Sequence, residues 1–396
     1  MQEWLFKLSK NRCARLVSRK LREAYHFDQF WLSPALEIQK NITAVEPIAD
    51  GKGSFIYPSF RLDGVGIQVL IRIASMALAH QKGARYIHIP FVRLEHREID
   101  PVGQKMSDLE WASTWENYFN FGKGNIPLKA AVSAWGPAHL ATIFTQEKYR
   151  FGDPKREHSV QQGIKKLDER LCKHSVYNLG LCKHFADNKL VLPESLLADL
   201  RDGLATNAPG GQALPYHSRG KHVAIHIRRG DVWDQIQKGS TASRFTNKLV
   251  GEAYYIDLLR KWSADYHKHS AEPLHFHIFS DGVPENFPGF HFIDEGLAEI
   301  PADSESKTVE NIHMYLRAST PYTMHALIHA PVLMPGKSSF GAVAAILGKG
   351  KLIQDEEIFE FYPYNMLLTN PSVQKRLLRP GQLVPELIEN GRDSEN

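Results

Sequence analysis

The first clear pattern of apolar and polar positions lies between residues 54 and 90. Apolar residues recur at helix-face spacing from Ile67 to Lys82 and predict an amphipathic helix, which ends at Gly83. The glycine-containing segment Asp63–Gly66 precedes this helix, and Arg85–Pro90 after it has the apolar character of a strand. A glycine turn, a helix and a strand in this order form one α/β repeat.

A second and more regular alternation runs from residue 222 to residue 354. Apolar runs predict strands, and the amphipathic segments between them predict helices. The predicted strands are 222–228, 274–280, 290–293, 332–334 and 351–354, and the predicted helices are 252–262, 307–318, 322–329 and 340–347. This alternation indicates a parallel sheet with right-handed crossovers. The fold class that follows is α/β.

The chain length of 396 residues predicts two domains. A stretch rich in Pro and Gly at 207–211 is the clearest linker signal and places the boundary there. We therefore expect a basic arm at 1–50, a first domain at 51–210, a second domain at 211–370 and a tail at 371–396. A helix is expected from Leu196 to Leu204, whereas the tail becomes polar and is expected to fray.

The net charge of +4 is unevenly distributed. Residues 1–22 carry seven Lys or Arg and one Glu, so the body is nearly neutral, which argues against a nucleic-acid partner. Two interpretations of the basic segment stay open: an amphipathic helix on an anionic membrane surface, or a solvated helix packed on the body. No apolar run approaches the ~18 residues of a membrane span and no export signal is recognised, so a cytoplasmic location is expected, with peripheral contact at the inner membrane face under the first interpretation.

Three cysteines in so long a chain indicate a reducing compartment without a disulfide framework. Cys172 and Cys182 each stand two residues before a histidine, His174 and His184. Structural zinc sites usually pair cysteines a few residues apart, which is a different pattern. Two similar surface turns are the preferred interpretation, and no metal site is expected.

The strongest motif is His-Ile-Arg-Arg-Gly-Asp, from His226 to Asp231, which follows the apolar run 223–225. Two arginines thus stand where a buried strand meets a loop, at the edge where open α/β sheets bind ligands. The planar fork of arginine makes bidentate hydrogen bonds and favours phosphate over a generic anion. The alternative is a strand end with two solvated arginines and a turn.

Three further segments stand at predicted strand or helix ends. In Gly336–Gly341, backbone N–H groups and two hydroxyls form an anion site at a helix start, or a serine simply caps the helix. A P-loop would need a glycine where Pro331 stands. The carboxylate of Ser280-Asp281-Gly282 faces a ribose or a base, or the segment is a plain turn. With the glycines of Asp63–Gly66, which permit close approach to a ligand, these segments predict a nucleotide diphosphate site in a cleft between two domains.

An aromatic cluster stands apart from these motifs, and its members are Trp111, Trp115, Tyr118, Phe119 and Phe121. A core position is the first interpretation of such a cluster, because large aromatic side chains dominate core energetics. Binding of an acceptor sugar is the second interpretation.

These segments resemble the fucosyltransferase superfamily marked by a His-x-Arg-Arg-x-Asp motif, which includes bacterial α-1,2- and α-1,6-fucosyltransferases and protein O-fucosyltransferases. His226–Asp231 is most similar to the α-1,2 version. Gly64-Val65-Gly66-Ile67-Gln68 resembles the family's N-terminal Gly-x-Gly-Asn-Gln helix, with Ile67 at the place of Asn. Phe279–Asp281 and Lys337–Gly341 are similar to its second and third segments. Residues 1–50 and about 100–200 are not covered.

The resemblance implies a GT-B fold, in which two Rossmann-like domains face each other and the second holds most of the donor, GDP-fucose. The implied partners are this nucleotide sugar and a glycan acceptor, without an additional cofactor. The donor-binding residues expected from the resemblance and the motifs are His226, Arg228, Arg229, Asp281, Ser338, Ser339, Phe340, Gly64 and Gly66.

The resemblance also implies individual roles. Arg228 contacts the diphosphate and Arg229 assists, while the serine of the third segment, Ser338 or Ser339, binds the β-phosphate. His226 and an aspartate such as Asp281 are placed near the guanosine. Many relatives read guanine with an acidic residue, for which the candidate here is Glu310-Asn311.

Glycosyl transfer through an oxocarbenium-like state leaves negative charge on the departing diphosphate, which a fixed arginine stabilises. No Asp-x-Asp pair stands near the motifs to hold a metal, so metal-independent chemistry is expected. The reaction expected from the resemblance is inverting. A general base on the acceptor hydroxyl would help, and Asp63 is the candidate, with Asp234 as the alternative. Asp231 is expected to have a structural role.

Three alternatives remain beside transfer from GDP-fucose. The same fold could use GDP-mannose or a UDP-sugar, or the chain could be a non-catalytic glycan-binding relative. Arg229-Gly230-Asp231 also matches an adhesion tripeptide. That role needs an exposed loop tip on an exported protein, and here the tripeptide adjoins a buried strand.

Overall fold

The computed structural model describes residues 28–40, 54–58, 63–98, 104–135, 175–179, 191–205, 211–241, 249–294, 296–302, 307–359 and 370–392. The chain divides into two compact units, Met1–Leu181 and Cys182–Asn396, each built on its own sheet. The basic arm at 1–22, the two cysteine–histidine repeats and most of the linker at 207–211 lie outside the described residues. Within the described residues, no helix is long and apolar enough to cross a membrane.

The first unit contains a parallel sheet with the strand order β3-β2-β1-β4. Its strands are β1 (Ser54–Pro58), β2 (Arg85–His88), β3 (Ile126–Pro127) and β4 (Ser175–Leu179). A π-helical turn at Asp28–Leu32 precedes the helices α1 (Ser33–Ile38), α2 (Val65–Gln81), α3 (Asp108–Phe119) and α4 (Leu128–Trp135). The predicted sequence of glycine turn, helix and strand is confirmed by α2 and β2.

The aromatic cluster belongs to the core of the first unit. Trp111 and Trp115 lie on α3 and meet edge to face, with ring centroids 5.5 Å apart. Phe119 stacks on Trp115 and on Phe121. All five rings are at most 2% exposed, which leaves no face for a sugar, so the acceptor-binding interpretation is wrong. Burying each ring contributes roughly 1.5–3 kcal/mol to stability.

The second unit is built on an eight-stranded sheet with the order β12-β11-β10-β5-β6-β9-β8-β7. The six strands from β12 to β9 are parallel, and β8 and β7 extend the sheet with antiparallel pairing. The strands are β5 (Lys221–Ile227), β6 (Leu274–Ser280), β7 (His291–Asp294), β8 (Leu297–Ile300), β9 (Val309–Leu316), β10 (Val332–Met334), β11 (Lys351–Ile353) and β12 (Leu377–Leu378). The predicted α/β class with parallel sheets is confirmed.

Helices precede, connect and follow the strands of this sheet. They are α5 (Glu194–Gly203), α6 (Gly230–Gln237), α7 (Glu252–His267), α8 (Thr320–Ile328), α9 (Ser339–Leu347), α10 (Glu356–Phe359), α11 (Pro371–Gln374) and α12 (Leu383–Arg392). One face of the sheet presents apolar residues such as Ile225 and Phe276, and Trp262 of α7 stacks on Phe276. Nearly every residue of β5 and β6 is buried, so both faces of these strands are covered, although histidines alternate with apolar residues on β6.

The helix predicted at 307–318 is wrong, because residues 309–316 form β9. β9 pairs with β6 on one side and with β8 on the other. Asn311 has a positive φ of 58°, and the register with β8 shifts between Ala298 and Ile300. This irregularity interrupts the two-residue alternation, which resumes with Ile312 and Met314 buried, so the sequence does not show a simple strand pattern.

The tail predicted to fray is ordered over residues 370–392. β12 adds to the edge of the sheet beside β11, and α12 packs against α7. Val373, Leu383 and Leu387 are buried, so the apolar residues of the tail cover the second unit while its polar residues face outward. The prediction failed because polar composition conceals a few correctly spaced apolar anchors.

The segment that carries α5 belongs to the second unit, although the predicted boundary assigned it to the first. α5 packs on α9, and Arg201 of α5 donates hydrogen bonds to the carbonyl oxygens of Ile346, Leu347 and Gly348. The linker signal at 207–211 therefore marks a connection inside the second unit. The helix itself, predicted at 196–204, is confirmed.

Candidate functional site

The sheet of the second unit has a topological switch point between β5 and β10. From β5 the chain continues to β6 and β9 on one side, and it later returns to place β10 on the other side of β5. Connections therefore leave the carboxyl ends of β5 and β10 in opposite directions. Open α/β sheets bind ligands in the crevice outside such a pair of strand ends. His226–Asp231 begins in the last two residues of β5 and continues into the loop after it, and Gly336–Gly341 follows β10, so two predicted motifs meet there.

The two motifs are in direct contact. The hydroxyl of Ser338 lies 3.3 Å from Nδ1 of His226. A Cβ atom on Gly336 would lie 2.3 Å from the carbonyl oxygen of His226, so only glycine lets the loop after β10 approach β5 this closely. His226 is buried, and burial lowers its pKa to about 4, opposed by Asp281 and reinforced by Arg228. Its imidazole is therefore neutral at physiological pH.

Ser338 is also the N-cap of α9, since its hydroxyl accepts the N–H of Gly341 at 3.0 Å. Ser339 and Phe340 form the first turn and are half-buried, and the ring of Phe340 lies 5.6 Å from that of His226. Lys337, in the same loop, is 8% exposed. The simple capping interpretation of Ser338 is thus confirmed. The first-turn N–H groups of a helix also make its start a ready anion site.

Arg228 lies at the carboxyl end of β5 with its side chain 22% exposed. Its guanidinium forms an ion pair with Asp231, three residues on, and its Nε lies 3.3 Å from Oδ2 of Asp281. The contact with Asp231 agrees with the structural role predicted for that residue. A guanidinium has five N–H donors, so these two contacts leave others for an anion.

Asp281 follows β6, beside the strand that carries Arg228. Its Oδ1 accepts the backbone N–H of Arg229 at 2.8 Å. A Cβ atom on Gly230, whose φ is +30°, would lie 2.4 Å from Oδ2 of Asp281. The carboxylate predicted to face a ribose or base therefore rests against the loop after β5 and touches it on both oxygens.

Arg229 is entirely buried, in contrast to its neighbour Arg228. Its Nη1 donates to the carbonyl oxygens of Val250 and Arg228, and its guanidinium lies 5.5 Å and 5.3 Å from the ring centroids of Trp233 and Phe287. Nε and Nη2 have no hydrogen-bond partner among the described residues. The side chain therefore packs beneath the loop rather than beside Arg228 at the surface.

Glu310 and Asn311 stand at the amino end of β9, whereas Asp281 follows the carboxyl end of the parallel strand β6. Six residues of strand separate Glu310 from Leu316, which corresponds to about 20 Å. The candidate reader of guanine therefore lies at the wrong end of the sheet. The error follows directly from predicting a helix where β9 forms.

In the first unit, Asp63 and Gly64 precede α2, and Gly66 is buried in its first turn. The side-chain amide of Gln68 donates to the carbonyl oxygens of Asp63 and Arg93 at 2.9 Å and 2.7 Å. This bridge fixes the backbone that carries the half-buried Asp63. A Cβ atom on Gly64 would meet only His96, at 3.9 Å, so packing alone does not demand glycine there.

No cluster of three His, Cys, Asp or Glu side chains that could hold a metal occurs among the described residues. Asp234, the alternative base, is exposed on α6.

The sequence analysis did not identify a histidine network on β5, β6 and β9. Nε2 of His222 lies 2.8 Å from the carbonyl oxygen of Ser218, so this nitrogen carries a proton and Nδ1 is an acceptor. Nε2 of His277, 2.9 Å away, must then donate to Nδ1 of His222. Nδ1 of His277 in turn accepts the hydroxyl of Tyr315 at 3.4 Å.

A second pair follows the same logic. Nε2 of His275 donates to the carbonyl oxygen of Arg219 at 3.1 Å, and its Nδ1 accepts Nε2–H of His313 at 3.1 Å. The rings of His222 and His275 stack, as do those of His277 and His313. Burial and the neighbouring histidines lower the pKa of His277 to about 2. Burial also lowers the pKa of His222 and that of His313. The signal in the sequence was the alternation of His275 and His277 with apolar residues in Leu274–Ser280.

No protein-family model and no curated protein matches the chain. Among solved structures it is similar to NodZ α-1,6-fucosyltransferase soaked with GDP-fucose, with 11% identity, a TM-score of 0.31 and coverage of 77% of this chain and 96% of NodZ. Selenomethionine NodZ from Bradyrhizobium gives 11% identity, a TM-score of 0.31 and coverage of 75% and 93%. NodZ co-crystallised with GDP gives 12% identity, a TM-score of 0.29 and coverage of 75% and 93%. Values this low assign no function, so the assignment depends on the residues of the site.

Proposed function

We propose that this protein is a GT-B fucosyltransferase that moves fucose from GDP-fucose to a hydroxyl of a glycan with inversion. The observation that carries the proposal is the meeting of His226, Arg228 and Ser338 at the switch point of the second unit's sheet. The resemblance of these segments to the His-x-Arg-Arg-x-Asp superfamily supports the choice of donor. The proposed setting is the cytoplasm, with residues 1–22 touching the inner membrane face.

The chemistry proposed for the site is stabilisation of the departing diphosphate. As the bond between fucose and GDP breaks, the β-phosphate gains negative charge, which fixed cationic and dipolar groups stabilise without reorganisation. Arg228 supplies the cation, and the start of α9 supplies backbone N–H groups and the hydroxyls of Ser338 and Ser339. Neutral His226 serves as a wall of the site, because it packs on Ser338 and Phe340.

We assign the general base of the proposed reaction to Asp63. A carboxylate near the acceptor would take the proton of the hydroxyl as it attacks, and Gln68 holds the backbone of this residue. Asp63→Asn should lower kcat about 100-fold or more while the Kd of GDP stays unchanged. A kcat close to wild type would exclude Asp63 and leave Asp234 as the base.

Binding of free nucleotides tests the donor directly. Calorimetric titration with GDP, CDP, UDP and ADP should show a clear preference for GDP, and Arg228→Ala should weaken GDP binding at least tenfold, as expected for loss of a charge-assisted pair. Arg219→Ala is the matched control, because this exposed arginine lies at the opposite end of β5. Failure of the wild type to bind GDP, or equal binding by Arg228→Ala, contradicts the proposal.

Hydrolysis of a donor panel separates the alternatives. Release of fucose from GDP-fucose supports the proposed donor, whereas turnover of GDP-mannose or a UDP-sugar alone assigns the same site to another nucleotide sugar. GDP binding without turnover of any donor, with or without acceptor glycans, identifies a non-catalytic glycan-binding relative.

A further inference from the structure

The partly exposed Arg228 contacts Asp281, which follows the neighbouring strand β6. We infer that Asp281 is a positioning residue for Arg228: it fixes the loop after β5 and the guanidinium, and it does not contact the nucleotide. This inference rests on the proposed function, because it concerns the diphosphate site. It differs from the role expected from the motif, which placed this carboxylate against the guanosine.

The geometry of the carboxylate carries the inference. Oδ1 accepts the backbone N–H of Arg229 at 2.8 Å, and Oδ2 lies 3.3 Å from Nε of Arg228. One side chain therefore fixes both the backbone and the side chain of the arginine pair. Nε makes no hydrogen bond among the described residues, so Asp281 acts on the guanidinium through the ion pair, while Asp231 pairs with the outer nitrogen Nη2.

The surrounding glycines show that this contact is built into the fold. A Cβ atom on Gly230 would lie within 2.7 Å of both Oδ2 and Cγ of Asp281. A Cβ atom on Gly282 would lie 2.9 Å from Cβ of Arg229, so the turn after β6 packs closely on the same loop. The hydroxyl of Ser280 accepts the N–H of Gly282 at 3.1 Å and holds that turn. The two strand ends are thus joined around the carboxylate.

Charge also favours an indirect role. A nucleoside diphosphate is an anion, so a carboxylate facing it directly would repel it, whereas one paired with Arg228 has its charge offset. Asp231 pairs with another nitrogen of the same guanidinium, Nη2. The two aspartates therefore hold Arg228 from two directions and leave it partly exposed.

The test is a double-mutant cycle on GDP affinity. Asp281→Asn retains an oxygen that accepts the N–H of Arg229 but removes the charge beside Nε, and it should weaken GDP binding about tenfold. Arg228→Lys retains a cation and loses Nε. If Asp281 acts through Arg228, adding Asp281→Asn to Arg228→Lys causes no further loss. Asp265→Asn is the matched control, because Asp265 is also partly exposed and ion-paired, with Lys268, but lies on α7.

The outcomes are distinguishable from one another. Losses that multiply in the double variant would show direct contact with the nucleotide and overturn the inference, as would unchanged affinity in Asp281→Asn. A wild type that fails to bind GDP overturns the proposed function instead. Thermal unfolding of each variant, run in parallel, identifies any loss caused by unfolding, and Asp281→Asn is expected to keep a midpoint close to that of the wild type.

Discussion

Buried histidines lie at both ends of the second unit's sheet, and the two ends differ in the partners of these side chains. β5 carries His226 near its carboxyl end and His222 near its amino end, on the same face of the strand. His226 meets the hydroxyl of Ser338, at a helix start beside the partly exposed Arg228. His222 meets only groups that satisfy it fully, the carbonyl oxygen of Ser218 and His277. One end leaves the guanidinium of Arg228 partly exposed, whereas both ring nitrogens of His222, His275 and His277 have hydrogen-bond partners within the protein.

The difference teaches how a polar cluster is recognised as a site. Buried polar groups that complete each other's hydrogen bonds stabilise the fold, and four histidines in two closed chains are of this kind. At the carboxyl end, the charge of Arg228 is held by Asp231 and Asp281 yet its side chain remains 22% exposed. Residue type alone does not separate the two clusters, whereas the balance of donors and acceptors does.

The largest expected effect is a loss of stability and of GDP affinity at the carboxyl end of the sheet, caused by Gly336→Ala. The added Cβ would lie 2.3 Å from the carbonyl oxygen of His226, a backbone atom that cannot move aside cheaply. Overpacking of this kind costs about 1–3 kcal/mol of unfolding free energy, and the displaced loop should also weaken GDP binding. Urea unfolding and GDP titration measure the two losses.

Gly381→Ala is the control for Gly336→Ala, since nothing lies within 4 Å of a Cβ atom placed there. Gly381→Ala should change neither quantity appreciably. If Gly336→Ala leaves both stability and GDP affinity unchanged, the close contact between the two motifs does not matter, and the carboxyl end loses its distinction as a built site.

A smaller effect is expected on the pH dependence of the free energy of unfolding, and it comes from His277 at the amino end of the sheet. The folded-state pKa of His277, about 2, lies below its unfolded value, so folding excludes a proton that the unfolded chain takes up below its pKa. Stability contributed by the neutral ring is present above the unfolded pKa and decreases as the pH falls below it. Between pH 7.5 and 5.5 this loss is about 1 kcal/mol for one such histidine.

His277→Gln should flatten that pH dependence by a similar amount, with GDP affinity at pH 7.5 unchanged. The exposed His269 provides the control, because His269→Gln should leave the pH dependence as in the wild type. The free energy of unfolding at both pH values decides the question. A wild-type protein equally stable at pH 7.5 and 5.5 would contradict the lowered pKa of His277. A change in GDP affinity in His277→Gln would show that the two ends are coupled.

Local pattern predicted most of the second unit. The strands at 222–228 and 274–280 and the helix at 340–347 were recognisable because both faces of the sheet and residues 341–347 of α9 are buried. β9 was missed because a residue with positive φ, Asn311, interrupts its alternation. The error then propagated to the proposed guanine reader, Glu310, which shows how a candidate site inherits mistakes in the fold.

The sequence predicted which segments would meet at the switch point, but it did not predict which of their side chains would be exposed and which buried. Arg228 and Arg229 are adjacent and identical in type, yet one is partly exposed and the other is entirely buried. That difference arises from the backbone at Arg229, with φ −131° and ψ −95°, and from the packing of Phe287 and Trp233. Trp233 is only four residues away, but Phe287 and the carbonyl oxygen of Val250 come from distant parts of the chain, which a local pattern does not reveal.

The contacts at the carboxyl end of α9, opposite the candidate site, limit where the chain can be truncated. Arg201 donates to three carbonyl oxygens around this end, and Arg376 donates to those of Ala345 and Gly350. Cations there complement the helix dipole whose other end faces Ser338. A fragment started at the linker, after residue 211, would lose Arg201, and one stopped at residue 370 would lose Arg376. A fragment that keeps both sets of contacts therefore begins before α5 and continues beyond Arg376.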